Sequence, residues 1–205
     1  GLVASGPFLL LTHPSVPVKS VRELIALAKA ESGKINYASA GNGTANHLAM
    51  EYFKSAAGVN FTHVPYKGAP QAVTDLLAGR VGVTLNSIGP VLAHIRAGRL
   101  QVLGVAGAKR SAALPDVPTI SEAGVPGFES GSWLGVLAPA KTPKPIIARL
   151  HEVMVKVVNT PDTRSRIEAL GAEPVGSSPA EFAAMLRKEY AVHEKIVRLA
   201  GVKVD

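Results

Sequence analysis

Cysteine is absent from the 205-residue chain, so disulfides, thiolate metal sites and a cysteine nucleophile are excluded. The absence does not fix the compartment, because a protein with a sizeable core is stable outside the cytoplasm without disulfides. Aromatic residues make up only 5% of the sequence. No uninterrupted apolar run reaches about 18 residues, so the sequence predicts no membrane span.

Acidic residues are fewer than basic ones: 15 Asp and Glu against 22 Lys and Arg give a net charge of +7. A basic surplus favours anionic partners, from small carboxylates and phosphates to membranes and nucleic acid. Nucleic-acid binding usually requires clustered basic residues and stacking aromatics. Here the charges are dispersed, and glutamates interrupt the densest basic stretch, RKEYAVHEKIVR at 187–198. The sequence therefore predicts no nucleic-acid partner.

Strands and helices alternate through the first half of the chain. Predicted strands lie at 7–13, 35–38, 60–66, 80–87 and 100–107. Predicted helices begin at Ser20, Thr44, Ala69 and Gly89. This β-turn-α repeat predicts an α/β fold with a largely parallel sheet, whose ligands bind beyond the carboxyl ends of the strands. The loops at 39–44, 66–69, 86–89 and 106–110 are therefore expected at one edge.

The pattern changes after Arg110. Thr119–Glu122 has the form of a capping box and predicts a very short helix. An extended segment at 132–140 follows, then helices over 142–159 and from Thr160 to just before Gly171, a short strand, and a long helix from Ser178. The first and last of these helices each carry an apolar face, which something must cover.

The segment INYASAGNGTANHL, residues 35–48, places a small-residue turn between a strand and a helix. The first amides of a helix lack intrahelical acceptors and carry about half a positive charge. Gly41 and Gly43 would let amides approach an anion without a Cβ in the way, and Ser39 or Thr44 adds a hydroxyl. Two interpretations stay open: a tight N-cap turn, or a carboxylate site with unpaired amides.

Other chemistries find weaker support in the residues. The six histidines show no HExxH motif or paired spacing, so no metal site is predicted and each is interpreted as structural or solvated. A small α/β hydrolase would need a triad such as Ser39, His47 and Asp75, but the loop lacks the GxSxG pattern. The segment GNGTAN matches neither a Walker loop nor GxGxxG. Lys67, after the next strand, either attracts an anion or is solvated.

Four blocks together resemble the Bug-type solute-binding receptors of tripartite tricarboxylate transporters. They are YASAGNGTANHL and its continuation to 81, AGAKRSAALPDVPTISEAGVPGFE at 106–129, SWLGVLAPAKTPKPIIARLH at 132–151, and LGAEPVGSSPAEFAAMLRKE at 170–189. The resemblance covers essentially the whole chain. It implies a periplasmic protein with two α/β lobes of the type II periplasmic-binding-protein kind, without catalysis or cofactor. The lobes close on a small organic carboxylate, which is delivered to membrane permease subunits.

The resemblance also implies a division of the chain. Residues 1–11 would be the crossover strand into lobe 2, residues 12–128 the complete lobe 2, residues 129–140 the returning crossover, and residues 141–205 the C-terminal part of lobe 1. On this interpretation the receptor is N-terminally truncated, because the first part of lobe 1 is missing. The alternative is a fragment without high-affinity binding that self-associates through exposed apolar helices.

The candidate ligand contacts follow from the loops and the resemblance together. They are Ser39, Gly41, Asn42, Gly43, Thr44, Tyr66, Lys67, Gly68, Asn86, Ser87 and Trp133. Relatives often carry Asp at the position of Asn86, where it would pair with a ligand amine; Asn86 adds no charge, so an amino-acid ligand is less supported. Trp133, on the returning crossover, either faces the cleft or packs at a hinge.

Overall fold

The computed structural model describes residues 1–201. The strands are β1 Leu2–Thr12, β2 Asn36–Ser39, β3 Thr62–Pro65, β4 Val83–Ser87, β5 Gln101–Val105, β6 Gly131–Gly135 and β7 Glu173–Pro174. The helices are α1 Val21–Ala30, α2 Ala45–Ala57, α3 Ala69–Leu77, α4 Ile88–Arg96, α5 Lys144–Val158, α6 Pro161–Ala169 and α7 Pro179–Ala200. The last four residues of the predicted 141–205 segment lie outside the described residues.

The main sheet has the strand order β3-β2-β4-β1-β5. Strand β2 is parallel to β3 and β4, whereas β1 is antiparallel to β4 and β5. The sheet is therefore mixed, and the α/β prediction is confirmed. Because β2, β3, β4 and β5 run in one direction, the loops that follow them leave the same edge, as expected. We call this the carboxyl edge.

Strand β1, Leu2–Thr12, extends beyond the apolar strand predicted at 7–13 and includes most of residues 1–11, which the resemblance implies are a crossover strand. Its second half, Phe8–Thr12, lies in the main sheet, and its first half pairs with β6 and β7 beyond the carboxyl edge. The sequence signal was weak there, because Ala4, Ser5 and Gly6 have low strand propensity. Ladder hydrogen bonds to two neighbouring strands make the segment extended.

Side-chain alternation along β1 divides the core between the two faces of the sheet. Phe8 and Leu10 pack with residues of α1 and α2, whereas Leu9 and Leu11 pack with residues of α3 and α4. This period of two is the one expected for a strand buried on both faces. The sheet is thereby held rigidly beneath its carboxyl edge.

The capping-box pattern, a Ser or Thr followed three residues later by Glu, occurs at Ser20, Thr119 and Ser178, and the hydrogen bonds differ among the three. At Ser178 both reciprocal hydrogen bonds with Glu181 form. At Ser20 the hydroxyl accepts from the Glu23 amide, but the Glu23 carboxylate accepts from the Lys19 amide and not from the Ser20 amide. At Thr119–Glu122 both bonds form, yet the segment is a turn and not the predicted short helix. Gly124 and Pro126 follow too closely for a helix to continue.

The C-terminal helices pack unevenly. Helix α7 packs on α2 and buries Phe182 and Ile196, whereas α5 lies against β1 and α6. The apolar side chains that remain exposed on α5 are Ile146, Leu150, Val153 and Val157. The expected covering of this face is therefore absent within residues 1–201. No helix in that range combines the length and apolarity needed to cross a membrane.

Candidate ligand site at the carboxyl edge

The β2–α2 and β3–α3 loops lie side by side. The Tyr66 amide donates to the Ser39 carbonyl at 3.1 Å. A Cβ on Gly41 would stand 3.0 Å from the Tyr66 carbonyl oxygen, and Gly41 has a φ of +134°. Only glycine meets both requirements without strain. We call residues 39–44 the ligand loop.

Further hydrogen bonds connect the ligand loop side of the edge to β4 and β6. The Asn46 side chain, in the first turn of α2, donates to the Leu85 carbonyl at 2.7 Å and ties α2 to β4. The hydroxyls of Ser87 and Ser132 lie 3.2 Å apart, which joins the start of α4 to β6 next to Trp133. The structure thus brings the predicted loops together as one continuous row.

Inside the ligand loop the polar groups bond to one another. The Gly41 amide donates to the Ser39 hydroxyl at 3.1 Å, and the Gly43 amide donates to Nδ1 of His47 at 3.0 Å. The Thr44 hydroxyl donates to the Gly41 carbonyl at 2.7 Å. The expectation that the Gly41 and Gly43 amides are unpaired is therefore wrong. Ser39 is buried and acts as a support.

Helix starts at this edge share the lack of a side-chain cap, a feature also found at the start of α5. Helices α2, α3 and α4 begin after Thr44, Gly68 and Ser87, and none of the three has a side-chain cap. Helices α1, α6 and α7 begin away from the edge, and each is capped by a Ser or Thr hydroxyl. An uncapped first turn presents amide donors and the positive end of the helix dipole to solvent or to an anion. The edge therefore carries three such starts.

A stacked column of rings supports the ligand loop from beneath. The rings of His47 and His63 lie 4.0 Å apart between centroids at 11°, and Tyr37 stacks on His63 at 4.7 Å. The Tyr37 hydroxyl donates to Glu51 at 2.6 Å, and Lys54 pairs with the same carboxylate oxygen at 2.8 Å. Burial, followed by the Glu51 contact, raises the pKa of Tyr37.

The pKa values of both histidines are lowered. Burial is the main cause for each. For His63 the neighbouring His47 adds to the effect and brings the pKa to about 4. The column leaves no local pattern in the sequence, because its residues lie on α2, β2 and β3, far apart in the chain. Only the alternation around His63 in β3 hinted at an inward side chain.

Among the remaining predicted contacts, the side chains of Tyr66 and Asn86 have hydrogen-bond partners. The Tyr66 hydroxyl donates to Asp75 at 2.8 Å, and this bond and Arg80 lower the pKa of Asp75. Asn86 is buried, and its side-chain oxygen accepts from the Ser87 amide at 2.8 Å. Lys67 has an exposed side chain.

Trp133 packs edge-to-face on Phe182, with ring centroids 5.4 Å apart and an interplanar angle of 80°. It remains 38% exposed, so it packs and faces solvent at once. The imagined hydrolase triad is not assembled: His63, rather than His47, contacts Ser39, and Asp75 bonds Tyr66 and Arg80. Residues 1–201 contain no group of three or more His, Asp or Glu side chains placed to hold a metal ion.

A cavity of about 790 Å³ lies at the β5 end of the carboxyl edge. It is lined by the 106–113 loop, the crossovers of β1 and β6, and parts of α2, α6 and α7. Of the predicted contacts, only Trp133 lines it. The Lys109 ammonium there is paired with Glu173 at 2.9 Å, and Arg110 with Glu122 at 3.1 Å. Both of these basic side chains are thus paired with carboxylates, so they do not give the cavity an unpaired positive charge.

The fold is that of binding proteins of known structure, not of enzymes. Rpa4515 of R. palustris, solved with adipate, superposes with a TM-score of 0.91 at 36% identity, over 98% of this chain and 67% of that one. MatC of Rhodopseudomonas palustris, solved with bound malate, gives 0.87 at 31% identity, over 96% and 68%. The periplasmic binding protein BugD gives 0.89 at 32% identity, over 99% and 69%.

Residues 2–202 match the family described as the tripartite tricarboxylate transporter family receptor. The chain belongs to this family. Among its relatives, BugT of Bordetella pertussis is 33% identical over 99% of this chain and 62% of BugT. The chain spans about three-fifths of the length of the curated relatives it matches.

Proposed function

We propose that this chain forms part of a receptor that binds a small organic carboxylate at the carboxyl edge, without catalysis. One observation carries the proposal: the three helices that begin at this edge, α2, α3 and α4, all lack side-chain caps. A carboxylate placed there accepts from orphan amides and meets the positive ends of the helices. The adipate and malate held by two solved relatives have this chemistry.

In the complete receptor the solute would be enclosed between two lobes in the periplasm and handed to the permease subunits of a tripartite transporter. Residues 12–128 would form one lobe, with 1–11 and 129–140 as crossovers. The net charge of +7 favours the approach of an anion. Family membership and the likeness to BugD support this assignment.

The proposed contacts are the predicted loop residues, with their roles refined by the hydrogen bonds. Thr44, Gly68 and Ser87 stand at the uncapped helix starts and lie nearest the free donors. Ser39 and Asn86 are buried and shape the loops from within. Lys67 adds an exposed ammonium beside Gly68.

The first prediction is that dicarboxylates bind at the first turn of α2. In an NMR titration of the ¹⁵N-labelled chain, adipate and malate should shift the amide signals of residues 44–47, whereas hexane-1,6-diol should not. Thr44→Asp supplies a carboxylate that accepts from the first-turn amides itself. It should abolish the shifts by occupying the donors and repelling the anion.

Ser20→Asp is the matched control, since it changes the cap of α1 away from the carboxyl edge. It should leave the titration as in the wild type. Absence of any shift with every dicarboxylate, or equal shifts with the diol, would contradict the proposed carboxylate site.

A further inference from the structure

We propose that His47 and His63 are positioning residues of the ligand loop, and that anion binding at the start of α2 requires a neutral His47 ring. The ligand in this proposal rests on the proposed function. The dependence of the loop on the two rings rests on contacts that exist without a ligand.

His47 holds the loop through an acceptor. The Gly43 amide donates to Nδ1 at 3.0 Å, so Nδ1 carries no proton and the neutral ring is protonated at Nε2. Nε2 faces the Glu51 carboxylate at 4.0 Å. A proton added to Nδ1 would set two donors against each other, and the bond would be lost. Gly43 directly precedes Thr44, so its release would disturb the first turn of α2.

His63 holds the loop through Ser39. Its Nε2 lies 2.6 Å from the buried Ser39 hydroxyl and is the donor of this pair, because the one hydroxyl proton goes to the Gly41 carbonyl. That hydroxyl accepts from the Gly41 amide and donates to the Gly41 carbonyl, both at 3.1 Å. One ring thus fixes both backbone polar groups of Gly41 through a single oxygen. The same carbonyl accepts from the Thr44 hydroxyl, which links the network to the helix start.

The surroundings favour the neutral pair. The charged and titratable groups that face the rings are Glu51 and Lys54 from α2 and Tyr37 from β2. Glu51 is already engaged by Lys54 and the Tyr37 hydroxyl, which leaves it less able to compensate a histidine charge. Two imidazolium rings with centroids 4.0 Å apart would also repel each other.

Packing alone does not require these residues. Two stacked phenyl rings would fill the same space, but they would leave the Gly43 amide and the Ser39 hydroxyl without their ring partners. The polar edges of both rings point to the ligand loop. This arrangement assigns the histidines to the loop as well as to the core.

The test compares adipate affinity of wild type and His47→Asn by NMR titration between pH 8 and about pH 4.5, a range set by the lowered histidine pKa values. Asn places an acceptor near the position of Nδ1 but does not titrate. The affinity of each protein is compared with its own value at pH 8. On acidification, each proton that must be absent for binding costs the wild type up to about tenfold in affinity per pH unit. The variant should lack this loss for the His47 proton. Protonation of adipate itself cancels in the comparison of the two proteins.

Two further measurements separate the loop from the ligand. Without ligand, imidazole ¹⁵N shifts should place the His47 proton on Nε2 at pH 8, and the amide signals of Gly41 and Gly43 should move as the pair titrates. His47→Phe keeps the stacking, removes the acceptor, and should weaken binding at every pH. His13→Asn, at the far end of β1, is the control and should behave as wild type.

A wild type and His47→Asn with the same pH dependence, a proton on Nδ1 at pH 8, or Gly43 signals unmoved by pH would each overturn the proposal. If the loop responds as described but no dicarboxylate binds, the proposed function fails and the positioning role stands.

Discussion

At the scale of single residues, the ligand loop shows small side chains used for close approach. The same demand occurs where the turn after α6 meets the start of α4. Gly171 has a φ of +72°, and a Cβ there would stand 2.4 Å from the Cβ of Ile88. Gly58, at the end of α2, has a φ of +63° with nothing within 4 Å of such a Cβ. Both glycines have a left-handed backbone conformation, but only Gly171 has neighbouring atoms where a Cβ would stand.

Gly171→Ala should therefore destabilise the protein more than Gly58→Ala. Both substitutions incur the left-handed backbone cost, about 1–2 kcal/mol. Only the first adds an overlap with Ile88, worth about 1–3 kcal/mol in a packed interior. Urea unfolding of the two variants measures the difference. Equal free energies of unfolding would show that the α6–α4 contact yields easily.

At the scale of elements, the starts of α1, α6 and α7 have a side-chain cap, whereas those of α5 and of the three helices at the carboxyl edge do not. Helix α7 illustrates the first kind. The Ser178 hydroxyl accepts from the Glu181 amide at 3.2 Å, and the Ser178 amide donates to the Glu181 carboxylate at 2.8 Å. The hydrogen bond from the Ser178 amide is the main reason why the pKa of Glu181 is lowered. The cap is thus complete when Glu181 is ionised.

Ser178→Ala should lower the free energy of unfolding by about 1 kcal/mol, because the Glu181 amide loses its side-chain acceptor. Ser178→Asp should retain most of the stability. Chemical denaturation at neutral pH gives both values. Ser55→Ala, on the exposed side of α2, serves as the reference and should change little. No loss in Ser178→Ala would mean that tertiary packing alone holds the start of α7.

The elements were predictable where the signal is local. Strand–helix alternation and caps placed most boundaries within a few residues, because they depend on neighbours in sequence. The Thr119–Glu122 turn was wrongly predicted as a helix, since its hydrogen bonds form without room for a further turn. The first half of β1 was expected to be extended from the family resemblance, whereas its pairing with β6 and β7 depends on residues far away in the chain.

The candidate site was predictable only in outline. Topology placed the loops at one edge and the sequence located the glycine turn. The bonds that consume the Gly41 and Gly43 amides involve a hydroxyl and a ring whose positions depend on tertiary packing. The pairing of Ser39 with His63, across 24 residues, has no signature in spacing. The predicted ligand contacts themselves stay predictions.

At the scale of the whole molecule, apolar surface is the unusual feature. Helix α5 exposes Ile146, Leu150, Val153 and Val157, each by 43% or more. Leu134 and Leu137, in and after β6, are 65% and 71% exposed. Contiguous apolar surface of this kind favours association.

The 205-residue chain should therefore self-associate as its concentration rises, through the face of α5. Leu150→Glu should shift the population toward monomer in sedimentation velocity measurements. Lys156→Glu changes the charge of the same helix at another exposed position and should shift it less. A monomeric wild type throughout the concentration range would refute the expected association.

Strand β1 has a mechanical consequence for the molecule. It runs unbroken from its pairing with β6 and β7 into the centre of the main sheet, and a Cβ on Gly131 would come within 2.4 Å of the Gly6 carbonyl oxygen. Two backbones touch there with no side chain between them. A rotation of the β6–β7 end relative to the carboxyl edge must twist these two paired strands. The amplitude of such a rotation is therefore set by the backbone torsions of Gly6, Pro7 and Gly131, and not by the length of a flexible linker.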